Sequence, residues 1–456
     1  MRNPFKNLFG RRQEPRRVSA RYDAAAHTPQ AARKWSAADF ALPNDALSRD
    51  VRLTIKSRAR LECENTPWVS GMIRQYAEDV IATGPRIQIV DGNDVEREWN
   101  GWCTAVDFAG KLRLAVETKC RDGEAFIQLT SNPKVANASK LFPLLVDSSR
   151  ISSPDSSSKD IDGVFIDRFL EPVRYSVAKD LDNLGGGHYL VDADHMCHYY
   201  RKFAPEQQRG VSDIAPALPD IAMLRAYSVA MLNKMEASAT VVGVLEPDTT
   251  VIDPDSVADP PFSPFDMPAR SWMTLPSGYK SKQFQCLNPV DSQNAYAEQV
   301  KCEVARCLLA TKNVVLGDSS DYNYSSARLD MQSYDRAIDV ARQEVEKAII
   351  DKVFAAWWRE RFGNRVVPAY TYYWPARAFV NPLQESNADT VRLQNGSLTY
   401  QQLCASEGHD WQETMRQRFE AEAYRRQLEK EFGFELSNPV TDSQNDFSAQ
   451  DGNDNA

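Results

Sequence analysis

Apolar residues recur at three- and four-residue steps between Tyr322 and Phe362. Met331, Tyr334, Ile338, Ala341, Val345, Ala348, Ile349 and Val353 fall on one narrow stripe, and the other faces are charged. No Pro or Gly interrupts the run. Ser325 or Ser326 can cap its first turn, Asp330 sits where the helix dipole favours a carboxylate, and Gly363-Asn364 supplies a stop. The pattern predicts one very long helix, on the order of 55 Å at about 1.5 Å per residue, longer than a compact domain of this size is wide. Such a stripe needs partners along its whole length. It fits either the core helix of an internal bundle or coiled coil, or a rod that packs against copies of itself in a ring, and the order of what precedes it favours the ring.

Upstream, Gln293 to Leu309 has a second helical pattern and ends in the polar, glycine-containing connection from Thr311 to Asp318. Val241 to Pro289 carries Pro247, Pro254, Pro260, Pro261, Pro264, Pro268, Pro276 and Pro289, which forbid continuous helix. A mere linker would not carry Val251, Ile252, Trp272, Met273, Tyr279 and Phe284, which need burial. Ala217 to Ala239 again reads as helix, with Pro219 near its start and Ala222, Met223, Leu224, Ala226, Tyr227, Ala230, Met231 and Leu232 as packing positions.

The first half of the chain is mixed. Arg52 to Thr83 reads as helical, with Thr66 as a cap, Pro67 at a first helical position, and Val69, Met72, Ile73, Tyr76, Val80 and Ile81 on a buried face. Gly84-Pro85 ends it, and Arg86 to Val90 reads as a strand. From Leu112 to Tyr200 the period shifts to short strands, at 125–129, 142–146, 163–166 and 174–177, separated by turn-forming clusters. Ser148 to Lys159 reads as a polar loop, and Gly185-Gly186-Gly187 as a turn between strands. After the long helix come an aromatic-rich stretch from Tyr370 to Phe379, a turn at Asn395-Gly396, and helices that Thr399 can cap, running to about Glu435. The polar, acidic end, 437–456, has too few apolar residues to fold. The fold class expected is α+β.

The ordered set Leu316, Gly317, Asp318, Tyr322, Asn323, Tyr324, Ser325, Ser326, Ala327 and Arg328, between the KCEVARCLL helix and the long helix, resembles the lambda-type family of bacteriophage portal proteins. Three further stretches carry the likeness: IATGPRIQI after the proline-capped helix, the basic, glutamine-containing link from His198 to Val211, and Trp374-Pro375 through Asn381-Pro382 to Ala388. The last departs from the family pattern, with Asn381 where Asp is usual and Gln384 where Lys is usual, so an ion pair made there would be absent.

This resemblance implies a portal fold: a wing at 35–211, stem helices at 212–240 and 291–311, a Pro-rich clip at 241–290, and a tunnel loop at 312–324. The long helix and a returning wing segment would take 325–400, and crown helices 401–436. It implies a dodecameric ring at one capsid vertex of the virion, assembled in the host cytoplasm, through which double-stranded DNA passes without sequence preference during packaging and ejection. It implies the terminase large subunit, head-completion or adaptor proteins, and major capsid and scaffold proteins as partners, and no chemistry or cofactor of its own. Within it, Lys312, Asn313, Asp318, Ser319, Asp321, Tyr322, Asn323 and Tyr324 would line the DNA channel. Lys312 set against Asp318 and Asp321 suits weak contact with a sliding polyanion, since each neutralised phosphate adds grip. Pro260, Phe262, Phe265, Arg270 and Trp272 would dock terminase. The alternative is a non-enzymatic coiled-coil scaffold or adaptor that forms no ring.

Composition narrows the rest. A chain of 456 residues, 42% hydrophobic, can bury a sizeable core. Its net charge of −9 argues against coating nucleic acid by bulk attraction. The charge is segregated, because residues 1–34 hold nine Arg or Lys against Glu14 and Asp23. That arm reads as solvated, with contact to DNA or an acidic partner as the other reading. No apolar run approaches the roughly 18 residues that cross a bilayer, and the N-terminus lacks a secretory core, so a soluble, intracellular protein is expected. Eight scattered cysteines fit reduced thiols packed as small hydrophobes.

Catalytic patterns are weak throughout. Gly110-Lys111 lacks the rest of a phosphate loop, and Asp91-Gly92-Asn93-Asp94 and Asp192-Ala193-Asp194 lack calcium-loop spacing. The five histidines accompany no serine elbow. His195, Cys197 and His198 lie close in sequence, yet on a strand His198 would face away from the other two, so a metal site is not expected there.

Overall fold

The computed structural model describes residues 42–89, 93–153, 160–179, 187–240, 244–247, 279–282, 290–320, 323–375, 382–407, 409 and 411–433. A short turn, α1 (Pro43–Ala46), leads to α2 (Arg49–Asn65) and α3 (Pro67–Ile81). The helical stretch expected from Arg52 to Thr83 is two helices, the second opening at Pro67 as expected. Pro67 disfavours helical geometry at the residue before it, and Thr66 is extended, at φ −123° and ψ 97°. Thr66 also makes no cap: its hydroxyl donates to the Glu62 carboxylate at 3.3 Å. The apolar face of α3 is buried as its spacing predicts.

After β1 (Arg86–Ile89) come α4 (Asn93–Ala105) and α5 (Phe108–Asp122). The second of these corrects the expectation of short strands from Leu112 onward. Leu112, Ala115, Val116, Lys119 and Cys120 are all buried on one face at helical spacing, a period that the density of apolar residues disguised. Asp107 caps α5 by accepting from the Gly110 amide at 3.2 Å, and Gly123, at φ 97°, ends it.

Six strands follow: β2 (Glu124–Ser131), β3 (Leu141–Val146), β4 (Val164–Ile166), β5 (Pro172–Ala178), β6 (His188–Asp192) and β7 (Met196–Tyr200). They form two antiparallel sheets, ordered β3-β2-β7 and β4-β5-β6. The first has one face in the main core, through Ala125, Ile127, Leu129, Cys197 and Tyr199. Phe126, Val146 and Met196 on its other face meet Val164, Tyr175, Val177 and Val191 of the second sheet in a smaller core. Of the expected glycine turn at 185–187 only Gly187 is described, at φ 123°.

Next comes α6 (Leu218–Thr240), then the paired strands β8 (Val244–Pro247) and β9 (Tyr279–Lys282), then α7 (Val290–Ala305) and a short α8 (Lys312–Leu316). The long helix runs as α9 (Tyr324–Val345), a π-helical turn at Glu346–Ile350, and α10 (Asp351–Phe362). Its cap is Asn323, which accepts from the Ser326 amide at 2.9 Å while its own amide donates to the Ser326 hydroxyl at 3.1 Å. Then β10 (Tyr370–Tyr373) pairs antiparallel with β1, and α11 (Pro382–Gln394), α12 (Tyr400–Ser406) and α13 (Trp411–Phe432) complete the described chain. Thr399 caps α12, accepting from the Gln402 amide at 3.2 Å.

The long helix does not keep its stripe for sister chains. Tyr334, Ile338, Ala341, Val345, Ile349, Ile350, Val353, Phe354, Trp357 and Trp358 all join α3, α5 and the first sheet in the chain's own core. Tyr334 donates to Asp79 at 2.8 Å, and Arg342 donates to the Val80 carbonyl at 3.0 Å, which fixes the helix across the end of α3. The π-turn adds one residue per turn locally, so consecutive Ile349 and Ile350 both reach the core. Beyond it Trp357 packs edge-on against Trp99 at 5.3 Å.

Candidate functional site

Two segments bear on function: the connection from α7 to the long helix, and the link that leads into α6. In the connection, Leu309 turns the chain in the left-handed region at φ 55°, and the Ala310 amide donates to the Ala305 carbonyl at 3.0 Å. The first half of the expected channel loop is helical, not loop. Val314 and Val315 of α8 are buried in the main core, and that apolar pair was the signal for it in the sequence. Lys312 pairs with Glu298 on α7 at 2.5 Å, and the Thr311 hydroxyl donates to Asn313. Gly317, at φ 64°, stops the turn and exposes Asp318 and Ser319. Asp318 accepts from the Ser320 amide at 2.9 Å, which lowers its pKa below the ordinary value.

The connection thus splits into an anchored half, holding Lys312 and Asn313, and an exposed half, holding Asp318 and Ser319. Asn323 caps the long helix and Tyr324 opens it. Asp321 and Tyr322 lie outside the described residues, as do all five residues expected to dock terminase, Pro260, Phe262, Phe265, Arg270 and Trp272.

The second segment was legible in the sequence only as a basic, glutamine-containing link. Residues 207–214 form a buried strap over the junction of α5 and β2. Gln207, Gln208, Arg209, Ser212 and Asp213 are each no more than 5% exposed. Arg209 spreads its guanidinium over three segments. It meets Glu124 of β2 at 2.5 to 3.2 Å, the Ser148 and Ile151 carbonyls at 3.3 and 3.1 Å, and the Asp162 carboxylate at 3.2 Å. The strap passes so close to the junction that a Cβ on Gly210 would sit 2.1 Å from the Gly123 carbonyl oxygen.

Further along the strap, the Ser212 hydroxyl and the Asp213 amide both donate to the Cys120 carbonyl at 3.1 Å, and Asp213 pairs with Lys119 at 2.8 Å. Burial alone would push the Lys119 ammonium down, but Asp213 holds it well above its ordinary value. Burial would likewise raise Glu124, yet Arg209, His198 and Arg52 hold it well below the carboxylate range. His198 is stacked between Phe126 and Tyr200 at 4.2 and 4.1 Å, and burial lowers its pKa to about 4.

His195, Cys197 and His198 do not converge. His195 is exposed in a 3-10 turn, Cys197 points into the main core beside the Ile349 carbonyl, and His198 points into the ionic network. Among the described residues no group of three or more His, Cys, Asp or Glu is placed to hold a metal, and no helix is long and apolar enough to cross a membrane. The seven described cysteines are free thiols.

What the arrangement offers is therefore mechanical: charges spent on holding segments together, and a two-helix arm, α6 and α7, projecting from the body. The chain belongs to the lambda family of phage portal proteins, whose family model matches residues 28–342. No curated protein matches it. Among solved structures, a chain from the virion of a native gene transfer agent particle has a TM-score of 0.50 at 15% identity, covering 77% of this chain and 92% of that one. The neck of the native particle, computed with C12 symmetry, contains a chain with a TM-score of 0.49 at 14% identity, covering 75% and 89%. An HK97 family phage portal protein from Corynebacterium diphtheriae has a TM-score of 0.35 at 10% identity, covering 72% and 98%. The first of these shares the fold.

Proposed function

We propose that this portal protein assembles as a dodecameric ring at one capsid vertex and forms the channel through which double-stranded DNA enters and leaves. In this reading 35–211 is the wing, α6 and α7 are the stem, 241–290 is the clip, and the connection at 312–324 faces the channel. The segment 325–400 holds the long helix and a returning part of the wing, and 401–436 forms the crown. The clip, with Pro260, Phe262, Phe265, Arg270 and Trp272, docks the terminase large subunit and later a head-completion or adaptor protein. Capsid and scaffold proteins contact the outside of the ring, and the protein has no enzymatic step of its own.

The observation that carries this reading is the stem. Along α6, Met223, Val229, Leu232 and Met235 are exposed, and Tyr296 of α7 is as well. A single chain has no reason to display so much apolar surface on one arm, whereas a neighbouring copy would cover it. The exposed half of the connection suits a wall for DNA, because Asp318 and Ser319 offer a polyanion no grip. Electron micrographs and solution mass of the purified protein test the ring: twelve-subunit particles with a central channel are expected. A single compact particle at every concentration would overturn it. Removal of Gly317 to Ser320 tests the channel wall, since rings that still form but package DNA at the normal rate would sink that assignment.

One observation favours the second reading, an adaptor that forms no ring. The long helix is satisfied within its own chain, so it gives no reason for assembly. The ring, on the reading proposed, rests on the stem instead.

A further inference from the structure

Among the described residues, α6 is seated in the body through its first turns, at Leu218, Ile221 and Leu224. Beyond Leu224 the described side chains are no more than half-buried, and the helix runs beside α7, with Tyr227 edge-on to Tyr296 at 6.3 Å. At the shoulder a lateral tether is made where Arg225 pairs with Glu62 of α2 at 2.9 Å. The arm is thus rooted twice: α7 enters the core through Val304, Ala305 and, just beyond it, Leu308, and α6 is joined to the body by the strap at 207–214.

We infer that this buried strap, through Arg209 and Asp213, fixes the angle at which the arm leaves the body, and through that angle the number of subunits that close the ring. The inference rests on the portal-ring reading above. In a closed ring the rotation between neighbours is set by how the two contact faces of one subunit are inclined, and about two degrees separates twelvefold from thirteenfold closure. An element that sets such an angle must resist small displacements. The strap does so in three ways.

Arg209 bonds segments near 124, 148–151 and 162 with one planar group, whose donors cannot follow a slide without losing partners. Gly210 and Gly123 bring two main chains together with no room for a side chain, which blocks displacement inward. The Lys119–Asp213 pair is desolvated, so drawing the charges apart without water costs far more than at a surface. The strap and the start of α6 are separated only by the 3-10 turn Ala215–Ala217, too short to absorb a shift.

The test uses the full chain and native mass spectrometry of its rings, with Arg209→Lys as the main variant. Lysine keeps the charge and loses the fork. The wild type is expected to give one ring mass. Arg209→Lys is expected to give a second, one subunit away, which rises from undetected to a measured share of the rings. Should Arg209→Lys fail to fold, Ser212→Ala, which removes one hydrogen bond to Cys120, carries the same expectation in milder form. Arg74→Ala, which breaks an exposed pair with Glu78 on α3, serves as control and should keep the single mass. A folded strap variant that retains one ring mass overturns the inference, and so does a control that spreads equally. A wild type that forms no ring removes the portal-ring reading and the inference with it.

Discussion

Arg209, Arg52 and His198 share the carboxylate oxygens of Glu124 at 2.5, 3.4 and 3.2 Å. Replacing Glu124 with Gln leaves two buried guanidiniums short of countercharge, and loss of one partner from such a group costs about 3–5 kcal/mol. The urea midpoint of Glu124→Gln should fall accordingly. A pH dependence follows from the same place. Facing His198 are Glu124 of β2, Arg209 of the strap, Tyr175 of β5, Tyr200 of β7 and, farther off, Lys352 of the long helix. Burial keeps the ring neutral, with its pKa near 4 against an ordinary 6.5. As pH falls from 6.5 towards 4, the unfolded chain binds a proton that the native chain refuses, so stability is lost over that window. Glu124, depressed from 4.5, adds to the loss at the acid end. The melting temperature should drop below pH 6.5, and His198→Gln should flatten the drop between pH 6.5 and 5, which a pH series of thermal melts reads. None of this network was legible in the sequence. Arg209 and Glu124 are 85 residues apart, and a lone Arg or Glu in a polar link looks like any solvated charge.

The long helix was the most legible element, because its stripe repeats over eight positions. What the stripe touches was not legible, since periodicity gives a face and not a partner. The π-turn was hidden too: Ile349-Ile350 reads as one residue too many on the stripe, and only its neighbours show that both are used. The two ends of the helix should answer differently to truncation. Trp357 is fully buried among Trp99, Phe354 and Phe362, and Trp357→Ala should cost about 3–5 kcal/mol. Leu329 is 68% exposed, and Leu329→Ala should stay within about 0.5 kcal/mol. Asn323→Ala, which opens the capping box, should cost about 1 kcal/mol. Denaturant unfolding of the three variants checks the order, and comparable losses at Trp357 and Leu329 would mean that the outer turns are as firmly held as the inner ones.

At the scale of the whole molecule, the sequence conveyed the order of helix, proline-rich insert, helix, short connection and long helix, because each boundary carries its own breaker or cap. It misread α5 as strands, since that depends on what lies across from it, and its one sign that α8 is anchored was the apolar pair Val314-Val315. Assembly is the property that a single chain expresses only as surface. Met223 and Leu232 are each 65% exposed on α6, so glutamate at either position disturbs little within one chain, within about 0.5 kcal/mol. In a ring the same side chains meet a neighbour, and every contact around the circle must desolvate the added carboxylate. Because closure multiplies the penalty by the number of contacts, Met223→Glu with Leu232→Glu should convert rings into single chains in sedimentation velocity while the thermal melt of the chain stays where it was. Rings that survive the double substitution would move the subunit contact away from α6 altogether, and the strap would then have no angle to set.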